Sequence, residues 1–219
     1  MKVSFLYNAQ LHQIPHSLPI ALELATHHRD IEVHVAGVSA RHLDFARRLA
    51  QRYGLDAPLH YGELERRWVA HVRALFGSEL APNKKRTLLK NMTYFASCDA
   101  VVTPERTSLA LRRNGLPART RLMFTDHGAG DRAVVVAPDV KEFDFVLVPG
   151  KKIEQRRLDL GLIRPGDYVS GVYAKFDWLR RKTAAPPKLF DNGRPTVLYS
   201  PHFDAELSLY PKRAFTRIE

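Results

Sequence analysis

The chain has 219 residues, 45% of them apolar and 26% charged, with a formal charge of +11, enough apolar material for one large domain or for one domain and part of another. No stretch approaches the roughly 20 continuous apolar residues of a membrane span, and the start, MKVSFLYNAQ, is too short for a signal-peptide core. The lone cysteine, Cys98, excludes an internal disulfide and fits a reducing compartment, so a cytoplasmic protein is expected.

In chain order, KVSFLY (2–7) predicts a buried strand, and SLPIALELATHH (17–28) an amphipathic helix capped by Ser17. IEVHVAGV (31–38) predicts a second strand, followed by a helix from Ser39 that Gly54 closes. APLHYG is a short third strand, and ELERRWVAHVRALFG the helix after it. KKRTLLKNMTYFAS (84–97) is helical, DAVVTP (99–104) a strand, and ERTSLALRRNG (105–115) a helix ended by Gly115. The strands RLMFT (121–125), FDFVLVPG (143–150) and YVSGV (168–172) follow, with helices KKIEQRRLDLG after the second and AKFDWLRRK (174–182) after the third. Strand and helix in alternation predict an α/β fold, a Rossmann-like parallel sheet flanked by helices.

TAAPPKLFDNGRP, rich in Pro, Gly and Asn, reads as an interdomain linker. The expected organisation is a domain over 1–183, a linker over 184–195 and the start of a second unit over 196–219, opening on the strand TVLYS. About two dozen residues are too few to close a second core. The chain is therefore expected either to begin a second domain that it does not complete or to pack its end onto the first.

The positive charge favours polyanionic partners. The bases lie in runs such as ERRWVAHVR, NKKRTLLK and KKIEQRR, which on helices are first of all solvated faces. A phosphate-rich ligand or an anionic membrane surface comes next. Specific nucleic-acid binding is not expected, because no helix-turn-helix, zinc-finger or RNA-binding aromatic signature is present.

Ligands of open parallel sheets bind beyond the carboxyl ends of strands, which singles out the loops YNAQLHQIPHS, TPERTS, TDHGAGDR and VPGKK. His127 follows a strand directly, between Asp126 and the glycines Gly128 and Gly130. It is either a general base, oriented by Asp126 or Asp131, or a turn histidine bonded to nearby backbone. Gly150 and Lys151 open a helix, where free N–H groups suit phosphate; the same residues also read as a plain helix start with Lys152. His12 and His16 are spaced for a metal, but Pro15 argues against one helix carrying both and no third ligand joins them, so no metal is expected. His27 and His28 end a helix and read as structural, as does Cys98. Neither G-x-S-x-G nor G-x-G-x-x-G occurs.

FTDHGAGDR, FDFVLVPGKKIEQRRLDLG, YVSGVYAKFDWL, a Pro-rich linker and PTVLYSPHFD, in that order, resemble the CDP-glycerol glycerophosphotransferase family, the teichoic-acid-polymerase-like enzymes. The resemblance covers roughly residues 120 to 205. It implies the N-terminal half of a GT-B architecture, with the active site between two Rossmann-like domains. It also implies a transferase moving a glycerophosphate or sugar unit from a nucleotide-activated donor to an acceptor hydroxyl, with no cofactor, in the cytoplasm or at the inner face of the cell membrane. His127 would be the general base and Gly128 would admit the acceptor. The sequence departs from the family pattern in HGAGDR, where Arg132 would supply the charge of a lysine, and in SPHFD, where His202 has no plain counterpart. Such a fragment is expected to be inactive alone; the alternative is a non-catalytic Rossmann-like module that holds an anionic ligand or a protein partner.

Overall fold

Seven short apolar runs form strands: β1 (Lys2–Tyr7), β2 (Glu32–Gly37), β3 (Leu59–Glu63), β4 (Ala100–Thr103), β5 (Arg121–Thr125), β6 (Phe145–Val148) and β7 (Tyr168–Ser170). The structure, a computed structural model, describes residues 1–64, 84–128, 137–180, 190 and 193–195. The chain divides into units Met1–Lys182 and Thr183–Glu219, and the strands all belong to the first. Every pairing among them is parallel, in the order β3-β2-β1-β4-β5-β6-β7. The fold is thus the Rossmann-like α/β sheet that the alternation of strand and helix predicts.

Parallel strands cannot be joined by tight hairpins, so helices cross the sheet and cover it. These are α1 (Leu18–His27), α2 (Ala40–Tyr53), α3 (Lys84–Lys90), α4 (Met92–Ala96), α5 (Leu109–Arg113), α6 (Lys151–Asp159) and α7 (Ala174–Arg180). The strand period of two sends alternate side chains to opposite faces. Val3, Phe5 and Tyr7 of β1 join Val33, Val35, Leu18, Leu22 and Ala46 in one core. Leu6 of the same strand joins Val101, Leu122, Phe124, Leu88, Phe95 and Ile153 in the other.

Local polar chemistry explains where the helices begin and break. Ser39 caps α2 as expected, its hydroxyl accepting from the backbone N–H of His42, and Gly54 ends it in the left-handed region at φ 76°. Ser17 sits at the start of α1 but makes no side-chain cap. Its hydroxyl instead bonds the buried Tyr7 phenol at 3.0 Å, so the expected cap is replaced by a core contact. The expected helix over 84–97 is two helices, because Asn91 Nδ2 donates to the Thr87 carbonyl at 2.8 Å and interrupts the run. The expected helix over 105–115 begins as a 3-10 turn, Arg106–Ser108. There Thr103 Oγ1 accepts from the Glu105 N–H and meets the Ser108 hydroxyl at 2.9 Å. The loop after β1 contains a further 3-10 helix, Leu11–His16, which tolerates Pro15. The expected helix after β3, the expected strand 196–200, Asp131, Arg132 and His202 lie outside the described residues.

Among the described residues no helix is long and apolar enough to cross a membrane.

Burial pushes the Tyr7 phenol pKa upward, and Ser17 is its hydrogen-bond partner. Tyr7→Phe should destabilise the protein by about 1–2 kcal/mol in urea unfolding, because it leaves the Ser17 hydroxyl unpaired in the core. The double variant Tyr7→Phe/Ser17→Ala should recover most of that loss; full additivity of the two single changes would contradict the pairing.

Candidate active site

The sheet order reverses between β1 and β4: β2 and β3 extend to one side of β1, and β4 to β7 to the other. Connections leave the sheet in opposite directions at such a point and open a crevice at the carboxyl ends of the strands. The residues there are the 3-10 helix Leu11–His16 after β1, Pro104 and Glu105 after β4, and Asp126, His127 and Gly128 after β5. Lys175 and Tyr173, around the start of α7, complete the group.

His127 is half-buried, and its Nδ1 lies 3.1 Å from the Pro104 carbonyl oxygen. A carbonyl only accepts, so Nδ1 carries the proton. In the neutral ring the lone pair is then on Nε2, the nitrogen that can take a proton from a ligand. The His12 ring lies 6.3 Å away, centroid to centroid. Partial burial holds the pKa of His12 below the ordinary histidine value; His127 and Lys175 push the same way and Glu105 opposes them. Burial pushes His16 down to about 4, helped by Lys175, His127 and His12, and its ring meets Tyr173 edge-on at 5.4 Å. Glu105 accepts from Gln13 Nε2 at 2.5 Å and from Lys84 Nζ at 3.3 Å. His12 and His16 are thus predominantly neutral at pH 7, beside an ammonium group and a tied-down carboxylate. Among the described residues no three His, Cys, Asp or Glu side chains form a metal site.

Asp126 does not orient His127 by a hydrogen bond. Its two oxygens accept from Arg157 of α6 at 2.7 and 2.8 Å, and Arg157 is completely buried. Burial pushes the Asp126 carboxyl above its ordinary value, and the Arg157 hydrogen bonds oppose that shift. Arg157 also lies under the Phe124 ring, 5.9 Å from its centroid. The pair therefore ties the end of β5 to α6. Orientation of His127 comes from the Pro104 carbonyl, just after the neighbouring strand β4.

Of the other anticipated residues, Gly128 is exposed, and a Cβ there would meet nothing within 4 Å, so the position opens toward solvent. Gly150 precedes α6 with an extended φ of 175° that any residue adopts, and Lys151 is an exposed residue of the first turn. Both stand on the carboxyl edge, after β6, the strand next to β5. Gln13, Glu105, Tyr173, Lys175 and Arg157 were not anticipated as site residues. Lys175 lies inside the YAKFD segment already singled out. Arg157 is four residues after the buried Ile153, a helical spacing that puts both on one face.

No protein-family model matches the sequence, and no curated protein does. Among solved structures, the chain is similar in fold to a UDP-N-acetylglucosamine 2-epimerase, with a TM-score of 0.55 and 14% identity over 85% of this chain and 53% of that one. It therefore spans about half the length of that protein. A glycosyltransferase, VinC, in complex with dTDP aligns with a TM-score of 0.32 and 14% identity, over 83% of this chain and 43% of that one.

Two outcomes follow from the site's electrostatics. Arg157→Leu leaves Asp126 as an unpaired buried carboxylate and should cost about 3–5 kcal/mol of stability, whereas Arg157→Leu with Asp126→Leu should cost much less. Equal losses in the single and double variants would show that the pair does not act as a unit. For His16, the unfolded chain takes up a proton below its ordinary value near 6.5, while the folded ring resists protonation until about 4. This contribution is fully present above the unfolded value and is lost as pH falls through that window. The urea midpoint should decline between those values, and His16→Gln should flatten the decline; an unchanged slope would contradict a neutral buried His16.

Proposed function

We propose that this chain is the acceptor-side half of a nucleotide-dependent transferase of GT-B design. It would move a glycerophosphate or sugar unit from a nucleotide-activated donor to an acceptor hydroxyl. The observation that carries this reading is the hydrogen bond from His127 Nδ1 to the Pro104 carbonyl. That bond leaves Nε2 as a proton acceptor at the switch point of the sheet.

The proposed step is concerted and balanced. Nε2 of His127 takes the acceptor's hydroxyl proton, and the oxygen bonds to the β-phosphorus of CDP-glycerol. The bond from that phosphorus to the bridging oxygen breaks, and CMP leaves with the electron pair. Lys175 and the N–H groups opening α6 at Gly150 and Lys151 face the developing negative charge in this scheme. The donor's nucleotide would be held largely by a second domain after the linker, where His202 and, in the loop after β5, Arg132 are the proposed further contacts. Exposed bases such as Lys85, Arg86 and Lys152 would suit an enzyme working at the inner face of the cell membrane.

Release of CMP from CDP-glycerol, with glycerol as acceptor, by this chain joined to a complete second domain tests this. UDP-N-acetylglucosamine serves as a second donor, read as release of UDP. His127→Ala should lower turnover by about 10²–10⁴-fold with an unchanged circular dichroism spectrum. Near-wild-type turnover in that variant would remove His127 from the chemistry. Nucleotide binding without turnover in that two-domain protein would point instead to a binding module.

A further inference from the structure

Five side-chain polar atoms among the described residues are buried without a hydrogen-bond partner, and four of them fall between β1 and α1. They are Nδ2 and Oδ1 of Asn8, Oε1 of Gln13 and Nδ1 of His16; the fifth is Ser170 Oγ, at the end of β7. Asn8, Gln13 and His16 are only 2%, 3% and 6% exposed. Folded proteins rarely leave such groups unpaired, so a cluster of them marks a missing partner. The fold is able to satisfy polar groups here, since Tyr7 and Ser17, which flank the segment, bond each other.

The unpaired atoms also limit what the partner is. Gln13 is oriented without ambiguity, because its Nε2 faces a Glu105 oxygen that can only accept. Its Oε1 is therefore an acceptor in need of a donor, and so is Asn8 Oδ1. Asn8 Nδ2 is a donor in need of an acceptor. A phosphate or carboxylate presents acceptors and leaves both amide oxygens unmet. A hydroxyl donates and accepts from one atom, and neighbouring hydroxyls on a carbon chain do so in pairs. Gln13 and His16 are one turn apart on the same face of a 3-10 helix. The Tyr173 ring against His16 adds a flat apolar surface for C–H groups.

We propose that Asn8, Gln13 and His16 form a subsite for the neighbouring hydroxyls of an uncharged polyol or sugar, the acceptor whose reacting hydroxyl faces His127. This rests on the acceptor-side reading of the same crevice and adds its ligand chemistry. Two sources share that chemistry, an open-chain polyol and a pyranose.

The test is a titration of the ¹⁵N-labelled full chain, following the side-chain amide resonances of Asn8 and Gln13. The probes are glycerol, methyl β-D-glucopyranoside and inorganic phosphate. Glycerol or the glucoside should shift both resonances saturably, and the tighter of the two identifies the source. Phosphate should leave them in place. Asn8→Leu removes two of the four unpaired atoms without changing side-chain size greatly, and should weaken the better probe by about 10-fold while the protein stays folded. Should Asn8→Leu fail to fold, Gln13→Met carries the same expectation.

A shift with phosphate alone, or affinity unchanged in the variant, overturns the proposal. So does silence from every probe, which would assign the four atoms to enclosed water. Because the readout is binding, it separates from the catalytic reading. Glycerol affinity that survives His127→Ala with turnover lost supports both. Lost glycerol binding in Asn8→Leu with His127→Ala still fully active keeps the subsite and removes the base.

Discussion

The buried ion pair of Asp126 and Arg157 is the constraint on which the site depends. A fully buried guanidinium is tolerable only with its charge answered and its hydrogen bonds made. The two parallel bonds from Arg157 to Asp126 answer the charge and engage both terminal nitrogens of the guanidinium. They also couple two places that the chain would otherwise leave independent, the carboxyl end of β5 and the body of α6. His127 is the next residue, so its position follows from a contact it does not make. The pairing of β4 with β5 then sets the Pro104 carbonyl where it fixes the ring.

The parallel sheet was legible because its strands are short and separated by helix-length segments. The location of the crevice was legible in outline, because every candidate loop follows a strand. The partners of those loops were not. Asp126 beside His127 suggested an orienting carboxylate, but successive residues leaving a strand point to opposite sides, and burial sent this one to Arg157. Arg157 itself sits in a basic run indistinguishable by composition from a solvated helix face. Ser17 shows the same limit in smaller form: its sequence position says cap, while the nearby Tyr7 phenol claims the hydroxyl. Position in sequence identifies which groups are available, and packing decides between partners of similar strength.

The crevice combines two kinds of group. His12 and His16 are held neutral first by burial, with Lys175 and His127 pushing both in the same direction. Such rings resist protonation and add no positive charge of their own to the crevice at neutral pH. Glu105, held by Gln13 and Lys84, keeps the local field from becoming uniformly positive. In the proposed reading that balance suits neutral hydroxyl groups, with charge handled by the exposed Lys175 and Lys151.

The strand order has a consequence for how this protein is made. Of the seven described strands β1 leaves the ribosome first, yet it lies inside the sheet, and one of its two neighbours is β4. The Lys2 amide finds its carboxylate partner at Asp99, 97 residues later. At the roughly 5–20 residues per second of translation, about 5–20 s pass before that flank can close. Through that interval a nascent β1, β2 and β3 present an open strand edge with apolar side chains on both faces. The growing chain is then a substrate for chaperones that recognise extended hydrophobic segments, and early translational pausing before β4 would prolong its exposure to aggregation.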